Sequence, residues 1–319
     1  MSAHPAVLVI GAGVSGLTTG ICLAEAGLAV LIRTRQPPLA TTSCSAGAIW
    51  GPYLSYDRRV TQWSRETLTT LVRLVDAPGS GVRMVHGLEA SHAVVDPPAW
   101  AAALPGFRAA VPEELPSGYA TGWWYTAPVV DMPAYLSYLA ARLRRAGGTI
   151  ELGTIASLYR AVETAPVVVN CAGAGARTLV PDPALTPVRG QLVVVENPGI
   201  SQFFVDHDES AAPTYYLPHG DHVALGGSAE PGRTDLAPDR RMSAAIRRRC
   251  AAVEPSLASA RVLAQRVGIR PSRARVRLEP VRVNGGLVVH NYGHGGAGVT
   301  VSWGCARQVL GLIRERTRA

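Results

Sequence analysis

Apolar runs and glycines alternate over the first 35 residues. Residues 6–10 form a short β-branched run that ends at Gly11; residues 17–26 are helix formers stopped by Gly27; residues 28–32 are apolar again. That order predicts strand, turn, helix and strand, a βαβ unit. Residues 133–147 carry Leu136, Leu139 and Leu143 at helical spacing, with Arg142, Arg144 and Arg145 toward the negative end of the helix dipole. Residues 149–158 and 165–176 read as strands, the second ending in glycines. Residues 189–199 and 214–227 alternate more and are broken by Gly, Pro and Asp, which predicts antiparallel strands. Residues 285–317 read as a strand, a glycine-rich turn and a terminal helix, and the run Arg247, Arg248 and Arg249 sits in what looks like a solvated helix.

The dinucleotide-type elements thus fall at the start, the middle and the end of the chain, with sheet-rich material between them. The expected class is α/β: a Rossmann-like domain (residues 1–55, 135–190 and 265–319) interleaved with a mixed, largely antiparallel sheet domain for substrate (residues 56–134 and 191–264).

Composition changes this picture in a few places. With 319 residues and 47% apolar content the chain can bury a large core. No run of about eighteen apolar residues occurs, and the N-terminal apolar run is punctuated by glycines, so neither a membrane span nor a signal peptide is expected. The chain ends Arg316, Thr317, Arg318, Ala319, which is no peroxisomal address, and a cytoplasmic location is expected. Cys22, Cys44, Cys171, Cys250 and Cys305 are odd in number and never in a CxxC pair, so they are expected to be buried small hydrophobes rather than disulfides or zinc ligands. The net charge of +8 comes from scattered arginines, which argues against nucleic acid. No lysine is present, and this removes Schiff-base chemistry and a P-loop lysine.

The first glycine motif carries the strongest local signal. Gly11, Ala12, Gly13, Val14, Ser15 and Gly16 follow a strand and open a helix, so Gly11 serves the tight turn, Gly13 the approach of a pyrophosphate, and Gly16 close helix–strand packing. Phosphates would sit at the helix N-terminus, where free N–H groups and the dipole favour anions. The second strand should end in an acidic ribose ligand; instead Thr34 stands there between Arg33 and Arg35, which taken alone favours the 2′-phosphate of NADP.

Five stretches in order resolve that ambiguity: TTSCSAGAIWGPY (41–53), RGQLVVVENPG (189–199), YYLP (215–218), GIRPSRARVRLEP (268–280) and HNYGHGGAGVTVSWGCA (290–306). Together they resemble the D-amino-acid oxidase family, FAD enzymes of the glutathione-reductase-like dinucleotide fold, over nearly the whole chain. The resemblance implies that Arg270 binds the substrate carboxylate in a two-point ion pair, a geometry that suits a planar guanidinium. It implies that Tyr215 touches the same carboxylate, while Tyr216 points to the other sheet face. Tyr53, Gly51 and Leu217 would line the pocket. Thr41, Thr42, Gly47 and Ala48 would run along the FAD phosphates and the flavin edge, and Ile155, Ala172 and Gly173 would lie on the adenosine side, with Thr34 and Arg35. Gly295, Gly298, Val299 and Thr300 would bring the chain flat against the flavin and aim a helix N-terminus at it, and the Gly296 carbonyl would accept a hydrogen bond from the substrate amine.

The chemistry this implies is oxidative deamination of D-amino acids. The α-hydrogen leaves as hydride to flavin N5, and the products are a 2-oxo acid, ammonia and, with oxygen as acceptor, hydrogen peroxide. No base is evident in the matched motifs, and none is required if the amine binds neutral. Glycine or sarcosine oxidases and D-aspartate oxidases share the fold and are the alternatives. Ala229 stands where D-aspartate-preferring relatives carry an arginine, so neutral side chains are expected. Gly51 replaces a glutamine found beside the pocket in the animal enzymes. The segment 206–214 is shorter than their active-site lid, which predicts open access. His290 and His294 have no third ligand nearby, so no metal is expected. Partners are the small-molecule substrate and oxygen, without nucleic acid or membrane, and a homodimer stays open.

Overall fold

The computed structural model describes residues 5–53, 58–208 and 212–317. Its strands are β1 (Val7–Ile10), β2 (Val30–Thr34), β3 (Val82–Ser91), β4 (Arg108–Ala109), β5 (Thr121–Val130), β6 (Thr149–Leu152), β7 (Val167–Asn170), β8 (Thr186–Glu196), β9 (Phe203–Asp206), β10 (Tyr215–Pro218), β11 (His222–Gly226), β12 (Glu230–Pro231), β13 (Val262–Val283) and β14 (Gly286–His294). Its α-helices are α1 (Val14–Glu25), α2 (Arg58–Leu74), α3 (Ala99–Ala102), α4 (Met132–Arg145), α5 (Leu158–Thr164), α6 (Ala176–Leu179), α7 (Arg240–Val253) and α8 (Gly298–Thr317).

The strands join into one continuous sheet in the order β4-β5-β3-β9-β10-β11-β8-β13-β14-β7-β1-β2-β6, with β12 beside β8. From β14 to β6 every pairing is parallel, and the βαβ unit β1-α1-β2 lies in this part. Strands here are buried on both faces: Val7 and Val9 face one core, Leu8 and Ile10 another. From β5 to β13 the pairings are antiparallel except β3 with β9.

Helix α1 ends as its sequence suggests. Gly27 takes φ +88°, its N–H donates to the Ala24 carbonyl, and the Leu28 N–H reaches back to Leu23, a Schellman closure that satisfies the last carbonyls. Its start is governed by packing. A Cβ on Gly16 would overlap the Gly11 carbonyl oxygen, so the helix lies directly on the end of β1. Among the described residues no helix is long and apolar enough to cross a membrane.

Residues 149–158 are not one strand. β6 stops at Leu152, and Ser157 accepts a hydrogen bond from the Arg160 N–H at 3.3 Å to start α5; Gly153 and this cap interrupt what the apolar pattern alone joined. Helix α2, β3 and β5 had no sequence assignment, and β13 extends well beyond the motif that announced it. Arg247, Arg248 and Arg249 do lie in a helix, α7.

Gly16→Ala is expected to cost about 1–3 kcal/mol of stability in urea unfolding, because backbone rather than a movable side chain blocks the added methyl. An unchanged midpoint would contradict this packing.

Candidate active site

Three glycine-bearing turns meet at the carboxyl ends of β1, β7 and β14. In the first, Gly11, Gly13 and Ser15 are half-buried while Ala12, Val14 and Gly16 are buried, so alternate backbone groups face outward. No acidic residue stands in the first turn of α1 or of α8, and α1 has no side chain of its own capping it. The second turn holds Ala172, packed at the edge of the core, and Gly173 at φ +57°. In the third, Gly295 has φ +55°, Gly296 is exposed, and Gly298 opens α8 with Val299 and Thr300 buried behind it. Thr34 ends β2, but its hydroxyl donates to the Gln36 carbonyl at 2.8 Å and the residue is buried; Arg35 beside it is exposed. Arg33 pairs with Glu151 at 3.0 Å, and Ile155 packs at the edge of the same core.

Residues 41–53 form a strap that crosses from this region over the antiparallel sheet. The Val14 N–H donates to Ser43 Oγ at 3.0 Å, so a hydroxyl from the 41–53 motif meets the N-terminus of α1, a contact that no local sequence pattern marks. The Ile269 N–H donates to Thr42 Oγ1 at 3.4 Å, and Ser45 donates to the Val267 carbonyl at 3.0 Å, which anchors the strap on β13. Thr41 closes its own turn on the Pro38 carbonyl. Gly47 then passes under Tyr215 and Leu217, where a Cβ would stand 2.8 Å from the Tyr215 ring and 3.3 Å from Leu217. Ala48 has φ +56°, and its carbonyl accepts from the Val130 N–H at 2.8 Å. Such a backbone in a non-glycine residue is held only by its surroundings. Gly51 is tied to α8: Thr300 Oγ1 donates to its carbonyl at 3.1 Å, so that hydroxyl is spent on the strap. Tyr53 ends the strap with its hydroxyl 3.2 Å from Glu89.

The sheet face beneath the strap holds the remaining candidates. Tyr215 pairs in register with Gly226, and a Cβ there would overlap its ring. Tyr216 packs on the reverse face with Phe204. Arg270, half-buried on β13, lies across Gly190 of β8, where a Cβ would overlap the guanidinium. Its Nη1 donates to the Ser228 carbonyl at 2.8 Å, and among the described residues no carboxylate pairs with it. Gly190, the glycine of the RGQ motif, therefore leaves the room in which the Arg270 guanidinium lies, a role its sequence motif alone does not reveal. Burial pushes the Tyr215 phenol up, only partly offset by Arg270, so the hydroxyl stays a donor. Gly295 sits beside Ser272, two residues from Arg270, which brings the third glycine turn to the same place. The structure thus gathers Arg270, Tyr215, Leu217, Gly47 and the 295–300 turn around one face. Part of the predicted short lid, residues 209–211, lies outside the described residues.

His294 and His290 support the turn from inside. The Asn291 amide donates to Thr19 Oγ1 at 3.2 Å, so its oxygen faces His294 Nε2 at 3.0 Å and fixes that nitrogen as the donor. His290 Nδ1 lies 3.4 Å from the Asn170 amide. Neither belongs to the metal-capable trio found among the described residues, which is His92, Asp206 and Asp208.

The family model described as FAD dependent oxidoreductase matches residues 6–312. The chain belongs to this family. Curated D-amino-acid oxidases of Rubrobacter xylanophilus and Streptomyces coelicolor are similar to it: the first is 47% identical over 308 residues, 96% of this chain and 94% of that protein, and the second 49% over 311 residues, 96% of each. In fold the oxidoreductase is similar to glycine oxidase from Geobacillus kaustophilus, with a TM-score of 0.81, 18% identity and coverage of 98% of this chain and 95% of that one. FAD is the cofactor of this family, and the residues fit it: two helix N-termini without acidic residues suit a pyrophosphate, and the glycine turns leave backbone open where a planar ring system would lie. The NADP reading of Arg33 and Arg35 is thereby replaced.

Burial holds His290 and His294 down to about 4 and His219 down to about 3. Each binds a proton in the unfolded chain below its ordinary value near 6.5 but not in the folded one. Stability is therefore complete above about pH 6.5 and falls as pH drops toward the folded values, by up to roughly 1.4 kcal/mol per pH unit for each histidine. His207, raised by Glu89, acts oppositely: it stabilises at low pH and loses that contribution as pH rises through its folded value. Urea unfolding between pH 6.5 and 5 should show net proton uptake; a flat profile would refute the buried neutral histidines.

Proposed function

We propose that this chain is a D-amino-acid oxidase that acts mainly on neutral D-amino acids and yields a 2-oxo acid, ammonia and hydrogen peroxide. The observation that carries the reading is Arg270. It is a half-buried guanidinium without a carboxylate partner among the described residues, laid over Gly190 on the face that presents the Tyr215 hydroxyl. A cation withdrawn from water in this way requires an anion to offset its desolvation, and an amino acid supplies one.

In this reading Arg270 and Tyr215 hold the carboxylate, Ser228 fixes one edge of the guanidinium, and the carbonyl of Gly296, an exposed residue, would accept a hydrogen bond from the amine. Those three contacts orient Cα and decide which face it presents. Tyr53, Gly51 and Leu217 complete the wall. FAD held there would supply a two-electron acceptor for the α-hydrogen, with oxygen as the final oxidant. Gly11, Ala12, Gly13, Val14, Ser15 and Gly16 would hold its phosphates; Thr34, Arg35, Ile155, Ala172 and Gly173 its adenosine side; and Thr41, Thr42, Gly47, Ala48, Gly295, Gly298, Val299 and Thr300 its remaining length. The protein contributes position and charge rather than a proton acceptor, since none of these groups is a basic side chain aimed at Cα.

The parallel and antiparallel parts of the sheet support the division into an FAD-binding and a substrate-binding domain. We also favour the cytoplasm, because the five cysteines are free. A small-molecule enzyme of this kind needs neither nucleic acid nor membrane, and a homodimer is compatible with it.

Arg270→Ala should raise KM for D-alanine by roughly 10- to 150-fold, the equivalent of about 1.5–3 kcal/mol, while flavin absorbance is retained. Wild-type-like KM would reject the assignment. Gly190→Ala should raise KM in the same direction with little change in unfolding midpoint, because the added methyl meets a movable guanidinium rather than backbone. Peroxide release from D-alanine but not from glycine or sarcosine separates this reading from the other amine oxidases.

A further inference from the structure

The strap leads to a second polar group that the chemistry above does not use. Glu89, on β3, is fully buried, yet its carboxylate is surrounded by donors: Tyr125 Oη at 2.6 Å and Tyr53 Oη at 3.2 Å on one oxygen, His207 Nδ1 at 2.6 Å on the other. The two phenols also touch each other at 3.1 Å. Trp100 packs against both phenols, its ring edge-on to Tyr53 and Tyr125 at 5.3 and 5.8 Å. Burying a carboxylate among three donors is a weak way to stabilise a fold, since apolar side chains of similar volume often do as well.

Register places this carboxylate relative to the substrate site. Glu89 pairs with Val205, Val205 with Tyr215, and Tyr215 with Gly226, so the Glu89 and Tyr215 side chains share one face two strand spacings apart, about 10 Å. Arg270 lies on the far side of Tyr215. The strap spans the same interval, from Gly47 against Tyr215 to Tyr53 on Glu89. If Tyr53 lines the pocket as proposed above, a molecule whose carboxylate is held between Arg270 and Tyr215 would extend its side chain toward this end of the strap. Asp206 and Asp208 lie close enough to His207 to act on its charge and add to the acidic character of that end.

We propose that Glu89 is a specificity-determining residue, its carboxylate setting a negative potential at the side-chain end of the pocket that disfavours acidic D-amino acids and favours cationic ones. The inference rests on the D-amino-acid oxidase reading and extends it from neutral to cationic side chains. At a separation of this order inside a protein, one charge shifts relative rates on the order of tenfold.

The test is steady-state kinetics of the FAD-loaded enzyme at alkaline pH, where the positive charge of His207 is reduced. D-alanine serves as the reference for D-lysine and D-glutamate. In Glu89→Gln the ratio of kcat/KM for D-lysine to that for D-alanine should fall about tenfold, and the ratio for D-glutamate should rise about tenfold; Glu89→Asp should keep the wild-type order. A packing defect would move both ratios together, and either that outcome or unchanged ratios would overturn the proposal. Should Glu89→Gln not fold with FAD, the wild-type enzyme decides: D-glutamine should exceed D-glutamate by about tenfold or more, and equal values would overturn it. A wild-type enzyme without activity on D-alanine would instead overturn the underlying oxidase reading.

Discussion

Strand register is the constraint on which the site depends. Side chains alternate across a sheet with period two, so a slip of one residue in β10 would turn Tyr215 and Leu217 to the reverse face and bring Tyr216 and Pro218 forward. The same holds for Arg270 on β13, which reaches Ser228 only while β13 pairs with β8 as it does. Register is protected because both faces are committed. Val193, Val195, Val223 and Leu225 pack against α7 on one side, and Val205, Leu217 and Ala224 join the main core on the other.

Glycines mark where this sheet must be approached closely. Gly226 lies under the Tyr215 ring, Gly190 under the Arg270 guanidinium, and Gly47 where the strap crosses Tyr215. At each a methyl group would displace a side chain of the site rather than a core residue. The strap uses this room and is held at both ends by polar contacts, to α1 through Ser43 and to Glu89 through Tyr53, so the dinucleotide turn and the substrate face are mechanically joined.

Electrostatics follow the same layout. A chain without lysine places arginine wherever a fixed cation is needed, and Arg270 is the one set against the half-buried Tyr215 phenol. The histidines of the HNYGHGG stretch are neutral supports, since burial suppresses their charge and Asn291 directs the His294 tautomer. Its glycines do the work there, by letting backbone rather than side chain face the site.

The sequence by itself determined the βαβ start, because glycine spacing and apolar runs report backbone geometry directly, and it identified the family through five ordered motifs. It also placed Arg270 and Tyr215 among the candidates and assigned Tyr216 to the opposite face, since alternation is a local property. It misjoined β6 to the start of α5, where Gly153 and the Ser157 cap outweigh the apolar pattern. It offered nothing on Ser43 capping α1, on Gly190 beneath Arg270 or on Glu89 with its three donors. Those contacts join residues 29, 80 and 118 positions apart in the chain, as in Ser43 to Val14, Gly190 to Arg270 and Glu89 to His207. Local patterns carry no record of which strands become neighbours; only tertiary pairing decided that a buried carboxylate would stand two strands from the tyrosine of the substrate face.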